Sequence, residues 1–352
     1  MHRIKTSRVN GEQAVELLMT MRRTLSGCAR MLAGMLGAAL FLLCPVESFA
    51  QPAFPSRTIR VISPFPPGAF NDLASRTIAL GLQQELGQTV VVENRPGAGS
   101  LIGAEFVARS PADGYTLLMA SNPIMAILPH LVSNLSFDPV KDLTPVSNVA
   151  AAPKLLFVRA GLPVESVRDV ISLAKAQPGK LTYASAGNGT VGHLSGELFK
   201  FTAGVDITHV PYKGSAPALN DLMGGRVDLQ FSDIVSGGGL INSDKLRLLA
   251  VMTARRVPQL PEIPTFTESG LDGFESYLWN GIVTRAGTPK EIVQQLSSAI
   301  AASLKRANIA APMTKLGAQT IGDSPEHFLE TITIERALWA RVVKATGIKL
   351  ER

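Results

Sequence analysis

Cysteine is nearly missing from this 352-residue chain, and both copies, Cys28 and Cys44, fall within the first fifty residues. Residues 51–352 therefore form no disulfide, carry no thiol nucleophile and lend no cysteine to a metal. Long basic runs are missing too: beyond residue 50 none exceeds a pair such as Arg255-Arg256. That argues against nucleic acid as a partner. Six of the 34 basic and three of the 28 acidic residues precede residue 51, which leaves 28 against 25, a formal charge of +3. Histidine is sparse, and His130, His193, His209 and His327 show no metal-ligand spacing. No metal and no other cofactor is expected. Long apolar runs are limited to Met31–Cys44, fourteen residues, whereas a spanning helix needs about 20.

What the first fifty residues do contain reads as an export signal. Arg22 and Arg23 give a basic start, Met31–Cys44 an apolar centre, and Ser48-Phe49-Ala50 a small-x-small cleavage site before Gln51. Glu12 and Glu16 are foreign to such a segment, so Met21 is expected to be the true start. Leu43 before Cys44 fits a lipoprotein site poorly, and Arg22-Arg23-Thr24-Leu25 matches a twin-arginine signal too loosely to fix the route. The expected compartment is the periplasm, with cleavage near Ala50. About 300 remaining residues exceed one ordinary core and predict two domains.

Past residue 50 the chain repeats one grammar. Strand Ile59–Phe65 runs into Pro66-Pro67-Gly68-Ala69-Phe70, with Asn71 or Asp72 placed to cap a helix over Leu73–Leu86 that stops at Gly87. Strand Thr89–Glu93, helix Leu101–Arg109 and strand Tyr115–Ala120 follow, ending at Ser121-Asn122. Later, strand Lys180–Ala184, a glycine-rich turn, helix His193–Thr202, strand Ile207–Pro211, helix Ala216–Gly224 and strand Val227–Phe231, ending at Ser232-Asp233, repeat the order. The pattern predicts two related α/β modules, each a mainly parallel sheet flanked by helices, with ligands held beyond the strands' carboxyl ends. The apolar strands Ala151–Arg159 and Tyr277–Thr284 are expected as the crossings, and two side by side make a hinge. Helices over Lys290–Arg306 and from Ser324-Pro325 towards Lys344 are expected to return to the first module. It would comprise 51–154 with 280–352, and the second module 155–279.

The stretch Tyr183–Glu197 (YASAGNGTVGHLSGE) carries the densest signal. Glycine lets backbone N–H groups approach a ligand, and a helix start adds unpaired donors and partial positive charge, which together suit a carboxylate or phosphate. Ser185, Gly187, Asn188, Gly189, Thr190 and His193 are the candidates. Gly187-x-Gly189-x-x-Gly192 also fits a dinucleotide fingerprint, but the acid expected about 20 residues on is missing: Asp206 lies only fourteen past Gly192. A turn with no ligand remains an alternative. His193 either donates to an anion or caps locally, and Glu197 reads as a solvated or helix-pairing residue. Ser185 is no nucleophile elbow, because Tyr183 stands where that motif needs glycine. Asp72 either pairs with a ligand ammonium or serves the helix start, the latter preferred; Lys213 is a loop cation or merely exposed. Phe65, Phe70, Tyr212 and Trp279 either wall a pocket or belong to the core.

Seven segments then occur in a telling order: Pro64–Gly68 with Asp72, Val92–Gly99, Asp113–Thr116, Asp138–Pro145, Tyr183–Glu197, His209–Gly214 and Gly287–Pro289. In these the chain resembles the Bug family, extracytoplasmic solute receptors of tripartite tricarboxylate transporters, from about Phe54 to the end. The resemblance implies a two-domain periplasmic-binding-protein (flytrap) fold with two hinge crossings, closing on a small organic acid. It also implies delivery to the membrane permease subunits of an ion-gradient transporter, by a monomer that is not an enzyme. Carried over by position, the ligand loops are Pro67, Gly68, Ala69, Phe70, Asn71 and Asp72 on one side and Ser185, Gly187, Asn188, Gly189, Thr190 and His193 on the other. Ser121, Asn122, Lys213 and Asp233 are expected at the rim or floor. Ala69-Phe70 and Pro123–Leu128 are more apolar than the family usually shows there, which predicts a ligand richer in hydrocarbon than a small hydroxy-dicarboxylate. A sensor for a signalling partner, or a periplasmic hydrolase or cofactor enzyme, are the other classes weighed; the enzyme lacks any nucleophile–base constellation.

Overall fold

Runs such as IRVIS and TLLMAS are apolar on both faces and make buried strands, VVVEN makes a half-exposed edge strand, and the proline- and glycine-rich segments after them force turns. The computed structural model describes Met19 and residues 54–132, 135–272 and 274–348. The export features expected between Arg22 and Ala50 lie outside those residues. Phe54–Arg352 forms a unit of its own.

In chain order the first part holds β1 (Ile59–Ser63), α1 (Phe70–Leu86), β2 (Val90–Asn94), α2 (Leu101–Ala108), β3 (Thr116–Ser121), a π-helical turn (Pro123–Ile127), α3 (Leu128–Leu131) and β4 (Leu143–Arg159). Next come α4 (Val167–Ala176), β5 (Thr182–Ser185), α5 (Val191–Ala203), β6 (Thr208–Pro211), α6 (Ser215–Met223), β7 (Leu229–Asp233), α7 (Ile234–Gly237) and β8 (Leu246–Val251). The chain closes with β9 (Tyr277–Arg285), α8 (Lys290–Leu304), α9 (Ala307–Thr314), β10 (Gln319–Thr320) and α10 (Pro325–Thr346).

One strand organises the rest. The first half of β4, up to Pro153, pairs antiparallel with β9, which in turn pairs antiparallel with β3. From Lys154 onward β4 pairs antiparallel with β7 and β8 instead. Beyond these, β2-β1-β3 on one side and β7-β5-β6 on the other are parallel trios joined by crossover helices. Each lobe is thus a parallel trio, with antiparallel partners where the chain passes between lobes. This is the two-domain α/β flytrap architecture, and β4 is longer than the expected Ala151–Arg159 because it serves both lobes.

Local chemistry explains most element ends. Gly87, Gly204 and Gly347 cap α1, α5 and α10 in the left-handed conformation. Ser166 and Asp169 form a reciprocal capping box on α4, and Ser324 followed by Pro325 opens α10. Two glycines decide how α5 sits. A Cβ at Gly196 would lie 2.1 Å from the Tyr183 ring, and one at Gly192 would lie 2.7 Å from the Phe231 carbonyl. Only glycine lets α5 press this closely onto β5 and β7. On that sheet face Leu156, Val158, Tyr183 and Phe231 meet Leu194, Leu198 and Phe199 of α5; on the other, Leu155, Phe157 and Ala184 meet Ala218, Leu219 and Leu222 of α6. Helix α10 lies against the π turn, β4 and α5, and so touches both lobes.

Candidate ligand-binding site

Both glycine-rich loops stand where the parallel strands end, at the carboxyl edges of β1 and β5. In the first, Pro66, Pro67 and Gly68 are exposed and Gly68 takes φ +85, a conformation that suits glycine. Helix α1 starts at Phe70, three residues earlier than its sequence indicates, with Ala69 rather than Asn71 or Asp72 at the cap position. Asp72 instead reaches back from the first turn. Its carboxylate accepts from Gly68 N (3.0 Å), Arg76 Nε (3.1 Å) and Asn94 Nδ2 (2.8 Å). Burial pushes its pKa upward, but those donors outweigh burial and hold it below the usual carboxylate value. Asp72 serves the loop, and its side chain is fully engaged.

Asn71 is the buried hub of this edge. Its Oδ1 accepts from Ser63 Oγ (3.0 Å), and its Nδ2 donates to Met119 O (3.0 Å) and Asn280 Oδ1 (2.6 Å). Ser121 and Asn280 are register partners across β3 and β9, and Ser121 Oγ and Asn280 Nδ2 are buried without a protein partner among the described residues. Asn280 was not singled out from sequence, where it is a lone amide in an apolar strand.

The second loop is tied down from within. Gly187 and Gly189 take φ +131 and +74. Ser185 Oγ accepts from Gly187 N (3.1 Å) and lies 2.7 Å from His209 Nε2. Thr190 caps α5 by accepting from His193 N and donates to Gly187 O (2.7 Å). His193 Nδ1 accepts from Gly189 N (3.2 Å), so that nitrogen is committed to the loop and the local role prevails there. Its ring stacks on His209 (4.0 Å between centroids), which stacks on Tyr183 (4.8 Å). Burial, with His193 and Lys200 nearby, pushes His209 down to about 3, and burial lowers His193 too, so both imidazoles are neutral at pH 7. Glu197 is not solvated: it is buried, accepts from Tyr183 Oη (2.6 Å) and pairs with Lys200 (3.3 Å). Asn188 and Lys213 are exposed.

Three expectations are corrected by burial. Phe70 belongs to the core with Ile78 and Leu82, and Ile124–Leu128 are sealed in the other cluster, against α10. Neither supplies an apolar cleft wall, so the preference for a hydrocarbon-rich ligand loses its basis. For Trp279 the core alternative holds: it packs edge-on against Phe328. Asn122 points away from Ser121's side of the sheet: its Oδ1 accepts from Trp279 N (2.9 Å) and its Nδ2 donates to Glu335 Oε2 (2.5 Å). It is a strut to α10 rather than a rim residue. At the edge of the second lobe Asp233 caps α7, accepting from Ser236 N (2.8 Å), and lies 3.7 Å from Lys154 Nζ. Lys154 escaped notice in the sequence, although a lysine inside AAPKLLFVR was the available signal. Among the described residues no three His, Cys, Asp or Glu side chains are grouped to hold a metal, and no helix is long and apolar enough to cross a membrane.

A family model described as tripartite tricarboxylate transporter family receptor matches residues 74–348. The chain belongs to this family. Protein BugT of Bordetella pertussis is 36% identical over 299 residues, covering 85% of this chain and 92% of BugT. Among solved structures, R. palustris Rpa4515 with adipate is 40% identical with a TM-score of 0.76, covering 84% of this chain and 99% of that one. MatC from Rhodopseudomonas palustris with bound malate is 32% identical with a TM-score of 0.74, covering 82% and 100%. The periplasmic binding protein BugD is 33% identical with a TM-score of 0.74, covering 85% and 100%. This receptor is therefore a solute-binding protein and not an enzyme.

The strut from Asn122 gives the receptor a pH dependence. Glu335 is half-buried with its carboxylate turned inward; burial pushes it up to about 7, with the Trp279 and Trp339 indoles close by but outside hydrogen-bond geometry. Its folded pKa lies above its unfolded value, so its stabilising contribution is complete below about pH 4 and fades as pH rises through 7. Ionising it costs about 3–4 kcal/mol. Glu335→Gln should therefore flatten the decline in melting temperature between pH 5 and 8 and be the more stable protein at pH 8. Parallel melting curves for the two proteins would refute this.

Proposed function

We propose that this receptor is a periplasmic monomer, released by cleavage near Ala50, that captures a small organic carboxylate between its lobes. It then presents the ligand to the permease subunits of a tripartite tricarboxylate-type transporter. The carrying observation is the matched pair of loops, Pro67–Asp72 and Ser185–His193, each at a strand's carboxyl edge and each feeding a helix start, with β4 running from one lobe into the other. Backbone N–H groups and buried neutral side chains such as Ser121 and Asn280 can hold an anion without a fixed countercharge, which favours release once the lobes part. The domains are 51–154 with 280–352 and 155–279, hinged where β4 changes partners and where the chain enters β9. Relatives solved with adipate and with malate support a carboxylate ligand.

The test is a thermal-shift panel of aliphatic mono-, di- and tricarboxylates, sugars and amines on the purified receptor. A ligand at 100 times its dissociation constant adds about 2.7 kcal/mol. At least one carboxylate should raise the melting temperature, and sugars and amines should not. A panel in which no carboxylate acts, or a neutral solute acts alone, rejects the assignment.

A further inference from the structure

Lys154 is the one charged residue in the second half of β4 before Arg159, and it stands where the strand leaves β9 for β7. Its side chain is only 6% exposed and that of its register partner Asp233 5%. The pair is loose. Lys154 Nζ and Asp233 Oδ2 are 3.7 Å apart, while Asp233 spends its oxygens on Ser236 N (2.8 Å) and Ser236 Oγ (3.1 Å). An ammonium has three donors, and among the described residues Asp233 is the one charged group against that of Lys154, at 3.7 Å. Burial depresses its pKa, with Asp233 opposing. A buried cation this poorly partnered is costly unless something else meets it.

The surroundings say where that ammonium lies. Lys154 and Asp233 share the sheet face of Leu156, Val158 and Phe231, the face covered by α5. Asp233 ends β7 three residues past Gln230, the register partner of Ala184 in β5, and a Cβ at Gly192 in the first turn of α5 would lie 2.7 Å from the Phe231 carbonyl. Ser195 of α5 lies 3.0 Å from Ser276 Oγ, and the Ser276 carbonyl accepts from Lys154 N at 3.3 Å. Lys154 therefore lies on the sheet face beneath α5, the helix whose N-terminus forms one ligand loop.

We propose that Lys154, steadied by Asp233, is the specificity residue for a second carboxylate, so that the receptor selects dicarboxylates over monocarboxylates of equal length. The proposal rests on the carboxylate reading above. The loops supply neutral donors for one carboxylate; a second, drawn into a closing cleft, needs a formal positive charge, and Lys154 is the buried one at that edge.

The experiment is titration calorimetry of wild type, Lys154→Met and Lys154→Gln with two matched pairs, adipate against hexanoate and malate against 3-hydroxybutyrate. For the pair whose dicarboxylate binds more tightly, wild type should prefer the diacid by at least tenfold. Both variants should lose most of that preference while holding the monoacid within about threefold of wild type. Wild type that binds both members of each pair equally overturns the proposal, as do variants that keep the preference, which would leave Lys154 as a partner to Asp233 only. Should neither variant fold, wild type labelled with [13Cε]lysine decides: the buried lysine signal must move with the diacid and stay with the monoacid. If no acid binds wild type in any assay, the carboxylate reading itself falls, a result distinct from binding without discrimination.

Discussion

Replacing Gly189 with aspartate should lower affinity for a carboxylate ligand at least 100-fold in a protein that still folds. Gly189 lies in the loop between β5 and α5, buried, with φ +74, and its N–H reaches His193 Nδ1. An aspartate there sets a fixed negative charge where the ligand's own is proposed to rest, and like charges brought together cost several kcal/mol. A positive φ penalises most side chains, but Asp and Asn tolerate it best, so the strain stays near 1 kcal/mol. Gly189→Asn is the matched control, with the same shape and backbone demand but no charge. It should stay within about tenfold of wild type. Calorimetry on both variants, with circular dichroism to check folding, separates charge from strain. Equal losses in the two would point to backbone distortion and remove the loop from the proposed site.

Trp279→Ala should cost about 3–5 kcal/mol of folding stability, the usual range for emptying a large buried aromatic site. Trp279 is 1% exposed on β9, edge-on to Phe328 at 5.1 Å, and its backbone N–H is taken by Asn122. It packs where the chain enters the antiparallel centre of the sheet, opposite Ala151 of β4, so neighbouring strands have little freedom to close the void. At roughly 2–3 °C per kcal/mol for a chain of this size, the melting temperature should fall by about 10 °C. Denaturant unfolding gives the free energy directly, and a loss under 1 kcal/mol would show that the site collapses freely. Trp279→Phe should cost less than half as much, because it retains most of the contact with Phe328.

Turn chemistry was readable along the chain because it is local. Gly87 at a helix end, Ser324-Pro325 at a helix start and Gly187 and Gly189 in a strand-to-helix turn act on backbone within four residues of themselves. Pro66–Ala69 is the turn its prolines and glycine predict, yet the role of Asp72 depends on Asn94, twenty-two residues away. Helix α1 begins three residues early for the same reason: Phe70 has a core to enter, and capping preference yields to burial.

The sequence by itself determined the alternation of strands and helices, the two glycine-rich loops, the lack of thiol chemistry beyond residue 50 and, through ordered motifs, the family. Each of these is written in neighbouring residues or in composition. Only the tertiary structure decided which of these side chains are buried or already engaged. Ile124–Leu128 looked like a cleft wall and is core; Asn122 looked like a rim residue and braces Glu335, 213 residues on. Lys154, a lone lysine in an apolar strand, is a buried cation facing Asp233. The physical reason is common to all three. A side chain's environment is set by partners far along the chain, brought near by sheet register and helix packing, and residue spacing alone carries no record of them.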